Sequence, residues 1–155
     1  MINTQPTSWE VSAVQSNRAL SGHYFEVDVT RKLMESNITP MKFLKGSGFE
    51  RVELSETGLS FDVDMAVKGG KDEFGINRIH MIEIKKSVSD STICKIYCQY
   101  QAYFKKFISE ENTNWTFTVV VEEMTKTNER YLSRLSKLPN FRYTSIKDMM
   151  ELDWN

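Results

Sequence analysis

Two stretches, Leu59-Ser60-Phe61-Asp62-Val63-Asp64-Met65-Ala66-Val67 and Arg78-Ile79-His80-Met81-Ile82-Glu83-Ile84-Lys85-Lys86, decide how this chain is read. Each reads as a β-strand. In the first, Leu59, Phe61, Val63, Met65 and Val67 alternate with Ser60, Asp62, Asp64 and Ala66, the period of an extended chain. Asp62 and Asp64 then share one side of the first strand, and Glu83 and Lys85 one side of the second. Pairing of the two strands brings acids and one lysine onto a small area. Two carboxylates can hold a hard divalent cation such as Mg²⁺. A neighbouring ammonium can orient a water or neutralise a phosphate, and together these groups meet the needs of metal-dependent phosphodiester cleavage. Met81, Ile82 and Ile84 mark the second strand as largely buried, where a Glu and a Lys are rare unless paired or bound to an ion. The competing reading is a pair of amphipathic strands whose charges face water.

Outward from these strands, the pattern alternates between helix and strand. Residues 1–8 read as a loose arm, and residues 9–19 as a short helix with Trp9 and Ala13 inward, broken at Gly22. A helix is expected over about 23–36, with Phe25, Val29, Leu33 and Met34 as its apolar stripe, ended by Asn37 and Pro40. Residues 42–48 read as a basic loop, Phe49 to Leu54 as a strand, and Glu56-Thr57-Gly58 as a turn. A hairpin loop begins at Lys68-Gly69-Gly70-Lys71 and runs to about Asn77. The strongest helix signal covers about Thr92 to Ser109, with Ile93, Ile96, Tyr97, Tyr100, Phe104, Phe107 and Ile108 on one face. Trp115 to Glu122, rich in β-branched and aromatic residues, is an interior strand. A helix over about Lys126 to Leu138, a strand over Phe141 to Ile146 and a terminal helical turn complete the order α, β, β, β, α, β, α, β. That order packs as an α/β domain with a central mixed sheet flanked by helices.

A length of 155 residues suits one domain, and 40% hydrophobic with 26% charged residues describes a folded, soluble chain. No apolar run is long enough to cross a bilayer and no signal peptide is visible, so a cytoplasmic location is the default expectation. The net charge of −1 argues against a general polyanion coat and leaves any DNA contact to a local basic patch. Cys94 and Cys98, four apart in the long helix, read as small core residues rather than metal ligands. His23 and His80 stand in no motif and are assigned no role.

Asp64 followed by Glu83-Ile84-Lys85 resembles the PD-(D/E)XK nuclease superfamily, whose fold is restriction-endonuclease-like. The resemblance covers most of the chain: a helix with an acid, a strand with an acid, a strand with E-x-K, then a helix. Val63 stands where the family pattern has proline, which leaves Asp62 and Asp64 as competing strand acids; Asp64 is preferred because it follows the acid–apolar pair Asp62-Val63. The resemblance implies a Mg²⁺-dependent deoxyribonuclease, endonucleolytic in preference, with Mn²⁺ as a substitute ion. It implies Asp64, Glu83 and the Ile84 carbonyl as ligands, Glu26 on the preceding helix as a further metal or water ligand, and Lys85 as the group that positions the attacking water.

Gln99 and Tyr103 are similar to a Q-x-x-x-Y pair found in exonuclease-like branches, which makes Gln99, with Asp62, a candidate for the outer shell of the site. The plainer reading leaves Gln99 as a solvated edge residue and Tyr103 beside the core. Branches with an iron–sulfur cluster need four cysteines, and this chain has two. Lys68, Lys71 and Arg78 border the hairpin loop, and Lys86 and Lys95 follow the E-x-K strand; all five are candidate phosphate contacts. The expected partners are DNA and either a second copy of the chain or a DNA-targeting protein, with no membrane. Trp9 and Trp154 are candidates for such a contact, with core packing as the commoner role of such residues. The alternative function is a non-catalytic binding or partner subunit on the same fold.

Overall fold

The computed structural model describes residues 24–36, 38, 40–42, 52–54 and 59–155. The arm over 1–8, the helix over 9–19 with Trp9, the break at Gly22, the stop at Asn37, the loop beyond Lys42 and the turn over 56–58 lie outside the described residues. A helix over 24–35 (α1) comes first. It is followed by β1 (Pro40–Lys42), β2 (Val52–Leu54), β3 (Leu59–Phe61), β4 (Met65–Lys71), β5 (Asn77–Lys85), α2 (Asp90–Ser109), β6 (Trp115–Val121), α3 (Lys126–Ser133), β7 (Phe141–Ser145) and a 3₁₀ turn, Met149–Glu151. The expected α/β class with a mixed sheet is present. Strands run β1-β4-β5-β6-β7 in one sheet, with β2 and β3 as a separate antiparallel pair. β1, β4 and β5 pair antiparallel, whereas β5, β6 and β7 pair parallel, as the intervening helices α2 and α3 require.

Two cores sit on the two faces of the sheet. On one face Met81, Phe117, Val119 and Val121 meet Ile96, Tyr100, Tyr103 and Phe107 of α2 and Leu132 of α3. On the other, Met65, Val67, Ile82, Ile84 and Val120 meet Phe25, Val29 and Leu33 of α1, together with Met149 and Trp154. Trp154 is therefore a core residue, its indole N–H donating to the Met149 carbonyl at 2.8 Å.

Several expectations are corrected. The run from Leu59 to Val67 is not one strand: β3 ends at Phe61, β4 starts at Met65, and the chain bends at Asp64. Val63 joins the α2-side core and Met65 and Val67 the α1-side core, so the alternate residues do not share a face. Pro40 opens a short edge strand, and the hairpin loop starts later than Lys68 because β4 continues to Lys71. Met34 is 53% exposed rather than part of the α1 stripe. On α2 the buried stripe is Ile93, Ile96, Tyr100, Tyr103 and Phe107, with Gln99 and Ala102 also buried, while Tyr97 and Ile108 face water. Cys94 is exposed and Cys98 half-buried, both as free thiols, so neither is the core residue expected.

His80 is wholly buried on β5, its Nδ1 2.7 Å from the Thr116 hydroxyl and its ring 5.3 Å from that of Trp154. Gly69 lies against it so closely that a Cβ there would stand 2.8 Å from His80 Nε2. Burial, with the Arg142 guanidinium beside it, holds the imidazole down at about 4, against 6.5 for a free histidine. The unfolded ring takes up a proton near pH 6.5 and the folded one resists until about 4. The stability that neutral His80 contributes is thus complete above 6.5 and is lost as the pH falls toward 4, a loss on the order of 3 kcal/mol. Urea unfolding of wild type and His80→Gln from pH 7 to 4.5 measures it as a difference, in which other titrating groups cancel. A gap between the two that does not narrow with acid would contradict it.

Candidate functional site

The bend over 62–64 makes the site. Asp64 precedes the register pair Met65–Ile82, which sets it across from Glu83. Its Oδ2 accepts the Ile84 N–H at 2.9 Å. A side-chain oxygen thus takes a bond that a ladder carbonyl would otherwise make, and regular pairing of β4 with β5 stops there. Glu83 follows Ile82 and precedes Ile84, both of which point to the α1-side core, so it projects to the α2 face. There it is 4% exposed. Gln99 of α2, itself buried, donates to Glu83 Oε2 at 2.7 Å and to the Asp62 carbonyl at 2.9 Å. Lys85, two residues on and a third exposed, places Nζ 3.3 Å from Glu83 Oε1.

The electrostatics follow from this crowding. Burial first, and the adjacent Asp64 carboxyl second, push Glu83 up to about 8; Lys85 and the Gln99 amide pull in the other direction without cancelling them. Two carboxyls in contact in a desolvated place cannot both be ionised cheaply. The metal-free protein therefore keeps a proton on the pair at neutral pH. A divalent cation would replace that proton, and the donor set suits one: two carboxylates and a backbone carbonyl, with waters at the remaining positions, is how Mg²⁺ is usually held. Tyr103, fully buried, underlies the site, and burial pushes its phenol up.

Of the residues expected from sequence, Asp64, Glu83 and Lys85 come together, and between the two strand acids it is Asp64 whose carboxyl meets Glu83. Asp62 enters through its carbonyl. Gln99 is not the solvated edge residue of the plainer reading: it is buried and bonded to Glu83. Its flank of α2 is covered: Gln99 and Ala102 are both buried, and Gln99 reaches the Asp62 carbonyl at the bend. Only the Q-x-x-x-Y spacing hinted at it.

Glu26 is half-buried on α1, whose stripe packs on the opposite face of the sheet. Among the described residues no three His, Cys, Asp or Glu side chains are grouped to share an ion. The basic residues divide into two groups. Lys95 lies one turn before Gln99 on the same edge of α2, and Lys86 stands beside Lys85 with Nζ 3.9 Å from Glu122. Lys71 and Arg78 are at the far end of the strands, roughly 20 Å from the carboxyls at about 3.3 Å per residue. Arg78 there donates to the Asn155 carbonyl at 3.2 Å and lies 3.8 Å from Asp153. Lys68 is between the two groups and exposed.

No helix among the described residues is long and apolar enough to cross a membrane. The chain matches no family model, no curated protein and no solved structure.

Proposed function

We propose that this chain is a Mg²⁺-dependent phosphodiester hydrolase acting on DNA, an endonuclease of the PD-(D/E)XK kind. The observation that carries the reading is the buried Asp64–Glu83 contact with Lys85 Nζ 3.3 Å away. A purely structural pair of this sort is costly to bury, whereas the same set suits ion binding and attack on phosphorus. The order of helix, antiparallel strands, E-x-K strand, helix and parallel strand supports the same reading. So does Lys95 on the site's edge, well placed for a phosphate.

Asp64, Glu83 and the Ile84 carbonyl would hold Mg²⁺, which supplies a polarised phosphate oxygen and a water of lowered pKa. Gln99, bonded to Oε2, fixes the rotamer of Glu83 and so the direction of Oε1, the oxygen beside Lys85. Lys85 orients the attacking water and stabilises the charge that builds on the phosphate. The proposal stands on Asp64 and Glu83 without Glu26. Incubation of linear, circular, single-stranded and branched DNAs with Mg²⁺ or Mn²⁺ tests it; no cleavage of any of them by folded protein would refute it.

A pH dependence follows. The ion must displace the proton on the carboxyl pair, so apparent Mg²⁺ affinity rises with pH by about tenfold per unit up to about 8, then levels. Close to one proton should be released per ion at pH 6 to 7. Calorimetry in buffers of different ionisation enthalpy reads this count directly, and an affinity independent of pH would contradict it.

A further inference from the structure

At the end of the sheet remote from the carboxyls, the β4–β5 turn and the C-terminal end of α2 enclose a cleft of about 360 Å³. Its walls are apolar and acidic. Phe74, 79% exposed, and Ile76, 53% exposed, stand on one side, and Glu110 and Glu111 on the other. Both walls are held firmly. Asp72 Oδ1 accepts the Phe74 and Ile76 N–H groups at 2.9 and 2.8 Å, Gly75 takes the left-handed conformation at φ 78°, and the Asn114 amide donates to Asp72. Across the cleft, Asn112 N–H caps the Phe107 carbonyl at 2.8 Å and its side chain accepts the Asn114 N–H. Phe74 is thus presented to water by a hydrogen-bonded turn.

The charge around these side chains selects the occupant. Glu110 and Glu111 stand at the C-terminal, negative end of a 20-residue helix, where carboxylates are unfavourable and cations favourable. Glu73 adds a further acid on the turn. Neither Glu110 nor Glu111 forms an ion pair among the described residues, and Arg78, the nearby arginine on β5, is turned to Asp153 and Asn155. Lys106 in the last turn of α2 and Lys71 at the end of β4 offset part of this charge, but the charged side chains that line the cleft itself are all acids, Asp72, Glu110 and Glu111, which favours a basic occupant over nucleic acid or an acidic protein. An apolar side chain seated on Phe74 and Ile76, with lysine or arginine on either side, satisfies both features at once.

We propose that this cleft docks a lysine- and arginine-rich peptide segment of a partner protein, anchored by a large apolar side chain. The inference does not depend on the nuclease reading: the cleft lies at the other end of the sheet, and its test uses no catalysis. The experiment is fluorescence anisotropy of a labelled peptide, Lys-Arg-Leu-Lys-Trp-Leu-Arg-Lys, titrated with the purified chain at low salt. Binding is expected. It should fall at least tenfold for Phe74→Ala, for the double variant Glu110→Lys/Glu111→Lys, and for the peptide whose Leu and Trp are replaced by Ser. Phe74 is exposed, so its replacement leaves the fold intact, as circular dichroism will verify. No binding, or equal binding by the Ser-substituted peptide or by Phe74→Ala, would overturn the proposal. So would self-association of the chain, seen by light scattering, that Phe74→Ala abolishes, since the occupant would then be a second copy.

Discussion

Glu83→Gln and Asp64→Asn are each expected to abolish Mg²⁺-dependent cleavage, by a factor of at least about 10³, while making the metal-free protein more stable. Loss of activity follows from removal of one of two anionic ligands. The stability gain follows from the position of Glu83. Its carboxyl is pushed up to about 8 from an ordinary 4.5, so folding is favoured fully below pH 4.5 and increasingly opposed as the pH rises toward 8. At pH 7 the cost is on the order of 3 kcal/mol. An amide at that position carries no charge to desolvate. It can still accept from Gln99 and can donate to Asp64, so its polar atoms keep partners. Asparagine at position 64 retains an oxygen for the Ile84 N–H. Urea unfolding in EDTA should therefore show both variants more stable than wild type at pH 7, with the advantage of Glu83→Gln vanishing near pH 4.5. Full nuclease activity in either variant would remove the mechanism. A destabilised Glu83→Gln would instead show that the pair is ionised and held for structure.

Lys85→Ala is expected to lower the cleavage rate by about 10²- to 10³-fold with Mg²⁺ affinity changed much less. An ammonium group is not a ligand for a cation. Two consequences of its removal for the ion also oppose each other. Lys85 favours the ionised form of Glu83, so its loss makes the proton harder to displace. Yet its positive charge, 3.3 Å from Glu83 Oε1, repels an incoming cation, and that repulsion disappears. The side chain is a third exposed, so the alanine variant leaves no sealed cavity and folds normally. Lys86→Ala should cost far less, because Lys86 lies beyond the end of β5, with Nζ 3.9 Å from the exposed Glu122. Single-turnover cleavage at saturating Mg²⁺, beside calorimetric Mg²⁺ titration, separates the two effects. Loss of Mg²⁺ binding in Lys85→Ala would assign the lysine a structural part instead.

Much of this molecule is legible in its sequence because local periodicity reflects local burial. Phe25, Val29 and Leu33 recur at helical spacing and are buried on α1. Ile82 and Ile84 flank Glu83 at strand spacing and turn it to the other face. The run Trp115 to Val121 is rich in β-branched and aromatic residues because it is an interior strand packed on both faces, with the Thr116 and Thr118 hydroxyls on one side meeting His80 and Arg142. What the sequence did not contain was the bend at Asp62–Asp64. The alternation there is unbroken, and the strand ends because Asp64 takes the N–H of Ile84, twenty residues away. Gln99 was hidden for the same reason. Whether a polar residue on the edge of a helix meets water or a carboxylate depends on which distant segment covers that edge, here β5 and the bend at Asp62. Cys94 and Met34 err in the opposite sense: apolar character predicts burial only where a partner surface exists. Residue type and spacing set the elements and put an acid, E-x-K and a lysine in order along the chain. Only the tertiary structure decided which of their atoms meet, because hydrogen bonds and desolvation act between neighbours in space.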